Sequence, residues 1–202
     1  MSFQDNYYEI IRGALHPEVL ELVDIEMELL KKVTYAKNKQ DEENKFIFSD
    51  GQVTNSYSRY APPCVEALSI KLLPLMEKVI GKQLYSSFSY ARIYYNGATM
   101  AEHKDRPSCE FATTINISID PEPWEIWFDD LKGNRFPILL NPGDLIVYKG
   151  SVLPHWRNEY LGERQLQAFL FYVDKFGKCK DYKYDRRKCL GMPDPEEYCG
   201  GI

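Results

Sequence analysis

What this sequence lacks limits what it can be. It has three histidines in 202 residues, so a site that needs imidazole has few to draw on. Its five cysteines, Cys64, Cys109, Cys179, Cys189 and Cys199, form no Cys-x-x-Cys pair. An odd number at wide spacing supports neither a zinc finger nor a disulfide framework, and free thiols are the expectation. No apolar run is long enough to span a bilayer. The opening Met-Ser-Phe-Gln-Asp-Asn lacks the charged-then-apolar layout of a secretory signal. Together these absences predict a cytoplasmic protein with no membrane partner. Positive charge is also scarce, with 25 Lys and Arg against 30 Asp and Glu and a formal net charge of −5. No basic stripe stands out, so a nucleic-acid partner is not expected.

The length suits one domain with a full core. Three stretches differ in character: helical and loop support over 1–86, a β-rich core over 87–174, and a charged tail over 175–202. A short strand is expected at Tyr7–Arg12. A helix starting at His16-Pro17 carries a broad apolar face from Leu20 to Leu30. The polar stretch 37–60 reads as turn and loop around a short strand at 46–48. A second helix is expected over Val65–Ile80, with Leu68, Leu72 and Met76 at helical spacing, Gly81 ending it, and Pro74 as a point of kinking or splitting. Both helices are expected to pack on one face of a sheet.

From Ser87 the pattern changes to period two. Strands are expected at Ser89–Tyr95, Phe111–Ile119, Trp124–Phe128, Ile138–Leu140, Leu145–Tyr148, His155–Tyr160 and Gln165–Val173. Turn residues separate them, Asp120-Pro121 and Pro142-Gly143 among others. Many short strands at this spacing predict a sandwich or barrel.

One stretch carries chemistry. Residues 94–105 end in His103-Lys104-Asp105, and His155 lies beyond the strands between. In extended chain, residues i and i+2 point the same way, so His103 and Asp105 can approach one ion. Two imidazoles and one carboxylate form the facial triad of non-haem iron sites. The plainer reading of His103 is a loop residue bonded to Asp105. Arg164 opens the last strand and shares a face with Leu166, Ala168, Leu170 and Tyr172. Taken as an inner face, that places a cation where it needs an anionic partner; a strand-end ion pair with Glu163 or Glu159 is the alternative.

Three features taken together resemble the 2-oxoglutarate- and iron(II)-dependent oxygenases, most closely their prolyl 4-hydroxylase-like branch. They are Tyr-x-x-Gly-(x)5-His-x-Asp over Tyr94–Asp105, Asn141-Pro142-Gly143-Asp144 before an apolar strand, and His155 followed nine residues later by Arg164. The resemblance covers roughly residues 88–174. It departs from the branch in having Arg where Lys is frequent, and Gly97-Ala98 where two glycines are usual.

The resemblance implies an α+β, mainly β fold: a double-stranded β-helix (jelly roll, cupin-like) with N-terminal supporting helices. It implies that His103, Asp105 and His155 bind Fe(II). It also implies that Arg164 holds the far carboxylate of 2-oxoglutarate, helped by Tyr94 and Asn116. Tyr94 can equally be a core aromatic, and Asn116 a strand polar group. Dioxygen is the second cosubstrate, ascorbate a reductant, and succinate and carbon dioxide the coproducts. The implied reaction is C–H hydroxylation of a prolyl residue in a peptide or protein, with a free amino acid or other small molecule as the alternative substrate. A second class of reading is a jelly-roll binding module with a vestigial metal site.

Arg106, Trp124, Trp127, Trp156 and Arg157 are candidates for the mouth. Arg106 and Arg157 are the better substrate contacts, and loops 37–60 and 129–137 are candidate lids. The tail has the composition of a peripheral segment, with packing along the roll and contact with a partner both open. Its role and the oligomeric state are not set by the sequence.

Overall fold

A computed structural model of the chain describes residues 3–37, 52–118 and 122–192. The strand expected at 46–48, the turn at 120–121, Cys199 and the tail from 193 onward lie outside the described residues.

The element order is α1 (Phe3–Asn6), β1 (Tyr8–Ile11), α2 (Pro17–Lys37), β2 (Ser56–Tyr60), α3 (Pro63–Ile80), β3 (Leu84–Tyr95), β4 (Met100–His103), β5 (Phe111–Ser118), β6 (Ile126–Asp129), β7 (Arg135–Ile138), β8 (Leu145–Tyr148), β9 (His155–Arg157) and β10 (Arg164–Asp174). The strands form two antiparallel sheets. The larger has six strands in the order β1-β8-β5-β10-β3-β2, and the smaller has four in the order β4-β9-β6-β7. Sequence-distant strands pair in both, as they do in a jelly roll. The strands β2 and β4 fall in stretches that read as loop, and β7 begins three residues before its expected start. Among the described helices, none is long and apolar enough to cross a membrane.

The larger sheet is buried on both faces. Its outer face meets α2 and α3 through Leu166, Ala168, Leu170, Ile115, Met27, Leu72 and Met76. Its inner face meets the smaller sheet through Phe128, Tyr94, Phe169 and Phe171. Both helices therefore cover one face, as expected. Helix α3 takes Pro63 in its first turn, where a missing N–H leaves nothing unsatisfied, and ends at Gly81 with φ 73°. Pro74 does not split it; the residue is exposed and the helix runs through.

The Asn141-Pro142-Gly143-Asp144 turn locks β8 to the N-terminal segment. Gly143 has φ +85°, and a Cβ there would lie 2.7 Å from the Leu15 carbonyl oxygen, so only glycine fits. Asp144 is 4% exposed. It accepts from Arg12 at 2.7 Å, from the Gly13 N–H at 2.8 Å and from the Asn141 N–H at 2.9 Å. Burial pushes its carboxyl up, but the Arg12 guanidinium and the two amides outweigh this and hold it below the usual carboxylate range.

The C-terminal segment is less peripheral than its composition suggests. Arg187 and Glu66 of α3 form an ion pair with side chains only 1% and 3% exposed, and the Gly191 N–H also donates to Glu66.

Asp144→Asn is expected to cost about 1–3 kcal/mol at neutral pH, because three donors lose a charged acceptor. A carboxylate with a depressed folded pKa stabilises above its unfolded value of about 3.9, and loses that contribution as pH falls through the folded pKa. The difference between Asp144→Asn and the parent in urea unfolding should therefore shrink below about pH 4.

Candidate metal centre

The three triad candidates meet where the two sheets come closest to the mouth of the roll. His103 ends β4 and His155 opens β9, and the two face each other as a cross-strand pair. Between Met100↔Arg157 and His103↔His155, β4 spends three residues against two on β9, which is a β-bulge. Without it, strict alternation would put Met100 inward and His103 outward. The bulge at Ala101 and Glu102 lets both face in.

The donor atoms of His103, Asp105 and His155 lie within 4.8 Å of one another. Each histidine Nε2 is 3.6 Å from Asp105 Oδ1. Each Nδ1 sits against a backbone carbonyl two residues earlier, His103 on Ala101 at 2.9 Å and His155 on Leu153 at 3.0 Å. A carbonyl accepts only from N–H, so both rings carry a proton on Nδ1 and turn Nε2 toward Asp105. A backbone acceptor that fixes the tautomer is the usual support for metal-binding imidazole. The Gln52 amide approaches His103 Nε2 at 3.2 Å.

Electrostatics agree with the geometry. His155 is buried, and desolvation, with His103 and Arg157 adding to it, lowers its pKa to about 3. It is neutral, as a ligand must be. Burial raises Asp105 to about 7, with Arg106 opposing. Asp105 Oδ2 is buried with no hydrogen-bond partner. Two imidazoles whose Nε2 atoms face one carboxylate that has no counter-charge suit a divalent cation. Phe128 stacks on the His155 ring at 5.7 Å and Tyr148 meets it edge-on at 5.0 Å, which holds its orientation.

Gly150 is a further part of the centre that the sequence reading passed over. Its carbonyl accepts the Asp105 N–H at 3.0 Å. A Cβ at Gly150 would lie 2.0 Å from Asp105 Oδ2. The carboxylate occupies the space that a side chain would need.

A cavity of about 410 Å³ opens on the triad. One wall is a row of aromatic rings. Tyr60 stacks on Phe88 at 5.4 Å, and Phe88 on Phe171 at 4.4 Å. Tyr90 and Phe169 continue it. Arg106 lines the cavity with its guanidinium 4.6 Å from the Phe88 ring centre, ion-paired to Asp185 at 2.8 Å. Asp185 also accepts from Tyr60 at 2.9 Å, so the C-terminal segment reaches the mouth.

The expected cosubstrate residues need correction. Arg164 does not face the cavity. Its side chain shares the face of Leu166 and Ala168, which packs on the helices. It is held there by Asp24, by Glu28 at 3.0 Å and by Ser118 at 3.2 Å. The face assignment was inverted: the more apolar face of β10 meets α2 and α3, and the face with Gln165 and Gln167 looks into the roll. Arg157 is corrected as well. It is not at the rim but 3% exposed inside the roll, on the same face of β9 as His155. It donates to the Trp124 carbonyl at 3.1 Å and lies 4.6 Å over that ring. Its Nε is buried with no partner. Trp124, another rim candidate, is 5% exposed and packs edge-on against Tyr94 at 4.8 Å. Trp127 and Trp156 stack on each other on the other face of the smaller sheet at 6.1 Å.

Tyr94 is fully buried on the inner face, and Arg92, which lines the cavity, donates to its hydroxyl at 3.3 Å. Asn116 also faces inward, where it donates to the Leu140 carbonyl at 2.7 Å and accepts from Gln167 at 3.2 Å. The residue that the sequence reading missed is thus Arg92. It stands two positions before Tyr94, and strand parity alone puts the two on one face.

The chain is thus a two-sheet jelly roll with a two-histidine, one-carboxylate cluster at one end. Comparison with solved structures gives the same fold. A prolyl-4-hydroxylase from Pseudomonas putida matches with a TM-score of 0.60 at 10% identity, over 85% of this chain and 95% of that one. HygX from Streptomyces hygroscopicus, with nickel, 2-oxoglutarate and hygromycin B bound, matches with a TM-score of 0.65 at 13% identity, over 86% and 85%. An oxidoreductase of the 2OG-Fe(II) oxygenase family from Burkholderia pseudomallei matches with a TM-score of 0.61 at 10% identity, over 83% and 84%. No protein-family model matches the chain, and no curated protein matches it by sequence.

Gly150→Ala is expected to weaken divalent-metal binding about tenfold or more, by pushing the Asp105 carboxylate out of place. Anaerobic iron(II) titration measures this, with circular-dichroism melting as the check that the fold is kept.

Proposed function

We propose that this chain is an Fe(II)- and 2-oxoglutarate-dependent oxygenase that hydroxylates a C–H bond, and that a prolyl residue of a peptide or protein carries that bond. The observation that carries the reading is the donor set of His103, Asp105 and His155, with both tautomers fixed and one carboxylate oxygen unpartnered. Iron(II), with 2-oxoglutarate and dioxygen, supplies oxidative decarboxylation to succinate and carbon dioxide and the oxidising power to cleave a C–H bond.

The chain's own residues do the rest. His103, Asp105 and His155 would hold the metal, and all three line the cavity in which a substrate would meet it. Phe128 and Tyr148 keep water from the far side of His155. The far carboxylate of the cosubstrate needs a cation, and Arg157 and Arg92 lie on the triad's side of the larger sheet where Arg164 does not. Burial, with Arg92 adding to it, depresses the Arg157 pKa, as expected of two neighbouring guanidiniums on an inner face. A carboxylate beside them would pair with Arg157, with Arg92 adding positive charge and the Tyr94 hydroxyl a donor.

The substrate assignment rests on the aromatic row. Stacked rings lining a groove are the surface on which proline-containing extended segments dock. Arg106 and Lys104 flank that row. The structural likeness to a prolyl-4-hydroxylase supports the same choice.

Asp105→Ala is expected to abolish iron(II) binding and with it succinate release from 2-oxoglutarate in air with ascorbate. Wild-type affinity for iron(II) in Asp105→Ala would overturn the reading in favour of a binding module. A proline-containing peptide is expected to raise succinate release and gain one oxygen atom by mass; free proline alone doing so would move the assignment to a small-molecule hydroxylase.

A second pair of variants separates the arginines. Arg157→Gln is expected to weaken 2-oxoglutarate binding by isothermal titration about a hundredfold, the loss of a buried charge-assisted contact. Arg164→Ala should leave that affinity unchanged and cost about 1 kcal/mol of stability through its partly exposed contacts to α2.

A further inference from the structure

We propose that two copies of this chain pair in solution through α2, side by side and antiparallel. The proposal is independent of the oxygenase reading. It starts from the side of α2 that the sheet does not use. Leu20, Val23 and Met27 are buried against the larger sheet, while Leu22, Ile25, Leu29 and Val33 are 58%, 51%, 56% and 50% exposed. Their spacing of three, four and four residues places all four on a single stripe. A helix on a monomer's surface ordinarily carries polar residues there. Four large aliphatic side chains in one line mark a contact surface.

The charges beside the stripe choose the occupant. Glu21 and Lys32 are both exposed. Eleven residues at 100° each bring them back to within about 20° of one another, so they share one flank of the stripe. When two identical helices pack antiparallel about a two-fold axis, each flank meets the same flank of the other copy. With the axis near Met27, Leu22 meets Val33 of the second copy and Ile25 meets Leu29. Glu21 then meets Lys32 of the second copy, and the pair forms twice. A parallel arrangement brings opposite flanks together and sets Glu21 against Glu26 of the second copy, two like charges. The charge pattern therefore fits a second copy of this helix in one direction and opposes it in the other. Such a contact is isologous, so it closes at two chains. One helix pair buries less than a standard interface, which makes the dimer reversible and concentration-dependent.

Sedimentation equilibrium of the full chain from about 5 to 500 µM tests the proposal, a range that spans the affinities of small interfaces. The expected result is a rise from 23.6 kDa toward twice that mass. Ile25→Glu should stay at the single-chain mass throughout, with its melting temperature read alongside to show that the fold is kept. Glu21→Lys should weaken the dimer about tenfold, and Glu21→Lys combined with Lys32→Glu should restore it. A chain that stays at 23.6 kDa at the highest concentration overturns the proposal, as does a dimer unaffected by Ile25→Glu. A dimer lost in Ile25→Glu but not restored by the charge exchange overturns the antiparallel arrangement.

Discussion

The structure depends on one unfavourable placement, a mostly buried carboxylate set between a buried and a half-buried imidazole with no counter-charge among them. Asp105 Oδ2 has no hydrogen-bond donor, and burial raises the group to about 7. A buried carboxylate left this way costs several kcal/mol unless a cation joins it. The surroundings show that the placement is maintained rather than incidental. Gly150 leaves room for the carboxylate, two backbone carbonyls hold the imidazole protons on the far nitrogens, and Phe128 and Tyr148 hold His155. Each of these contacts keeps a donor atom pointing at one spot. A core that sought only stability would fill that spot with carbon.

The same constraint explains how the two faces of the larger sheet differ. Burial is nearly continuous along β10, so exposure cannot tell the faces apart. Composition can, once the right question is asked. A face that packs on helices must be apolar, and Leu166, Ala168, Leu170 and Tyr172 meet α2 and α3. The face turned into the roll carries polar groups, with Gln167 bonded to both Gln165 and Asn116. Parity sorts the residues of β10 into these two faces, but the apolar set is not the interior of the roll: it packs on the helices. Arg164 goes with it. The acids that satisfy Arg164, Asp24 and Glu28, lie more than 130 residues earlier in the chain, on the polar edge of a helix. Nothing local announces that pairing.

Much of the rest was legible. The capping prolines, Gly81 and the 3.6-residue periodicity gave both long helices. The alternation after Ser87 gave most of the strands. His-x-Asp with a distant His gave three residues that the fold brings together. Arg92 was also within reach, since it sits two positions from Tyr94 and so must share its face; the same parity puts Arg157, singled out for the mouth, on the face of His155. The strand β2 was missed because Ser-Tyr-Ser-Arg-Tyr has no apolar alternation; among the described residues it borders the sheet and pairs with β3. The C-terminal segment was missed for a different reason. Its anchors, Arg187 on Glu66 and Asp185 on Arg106, are charged residues, and a charged stretch looks solvent-facing until its partners are known.

The bulge in β4 shows why motif and fold cannot be read separately here. In a regular strand, inward-facing Met100 would force His103 outward, and the two-residue spacing of His103 and Asp105 would direct both away from His155. One extra residue on β4 reverses this, and it does so at the place where β4 pairs with β9. Met100 still packs in the interior, and His103 still meets His155 across the ladder. A one-residue change of register would turn every side chain of the strand to the other face. The donor cluster therefore depends on a backbone irregularity as much as on the identity of its residues. The carbonyl of Ala101, set by that irregularity, also fixes the His103 proton. Ligand identity, ligand direction and tautomer are three requirements, and in β4 a single inserted residue meets the last two.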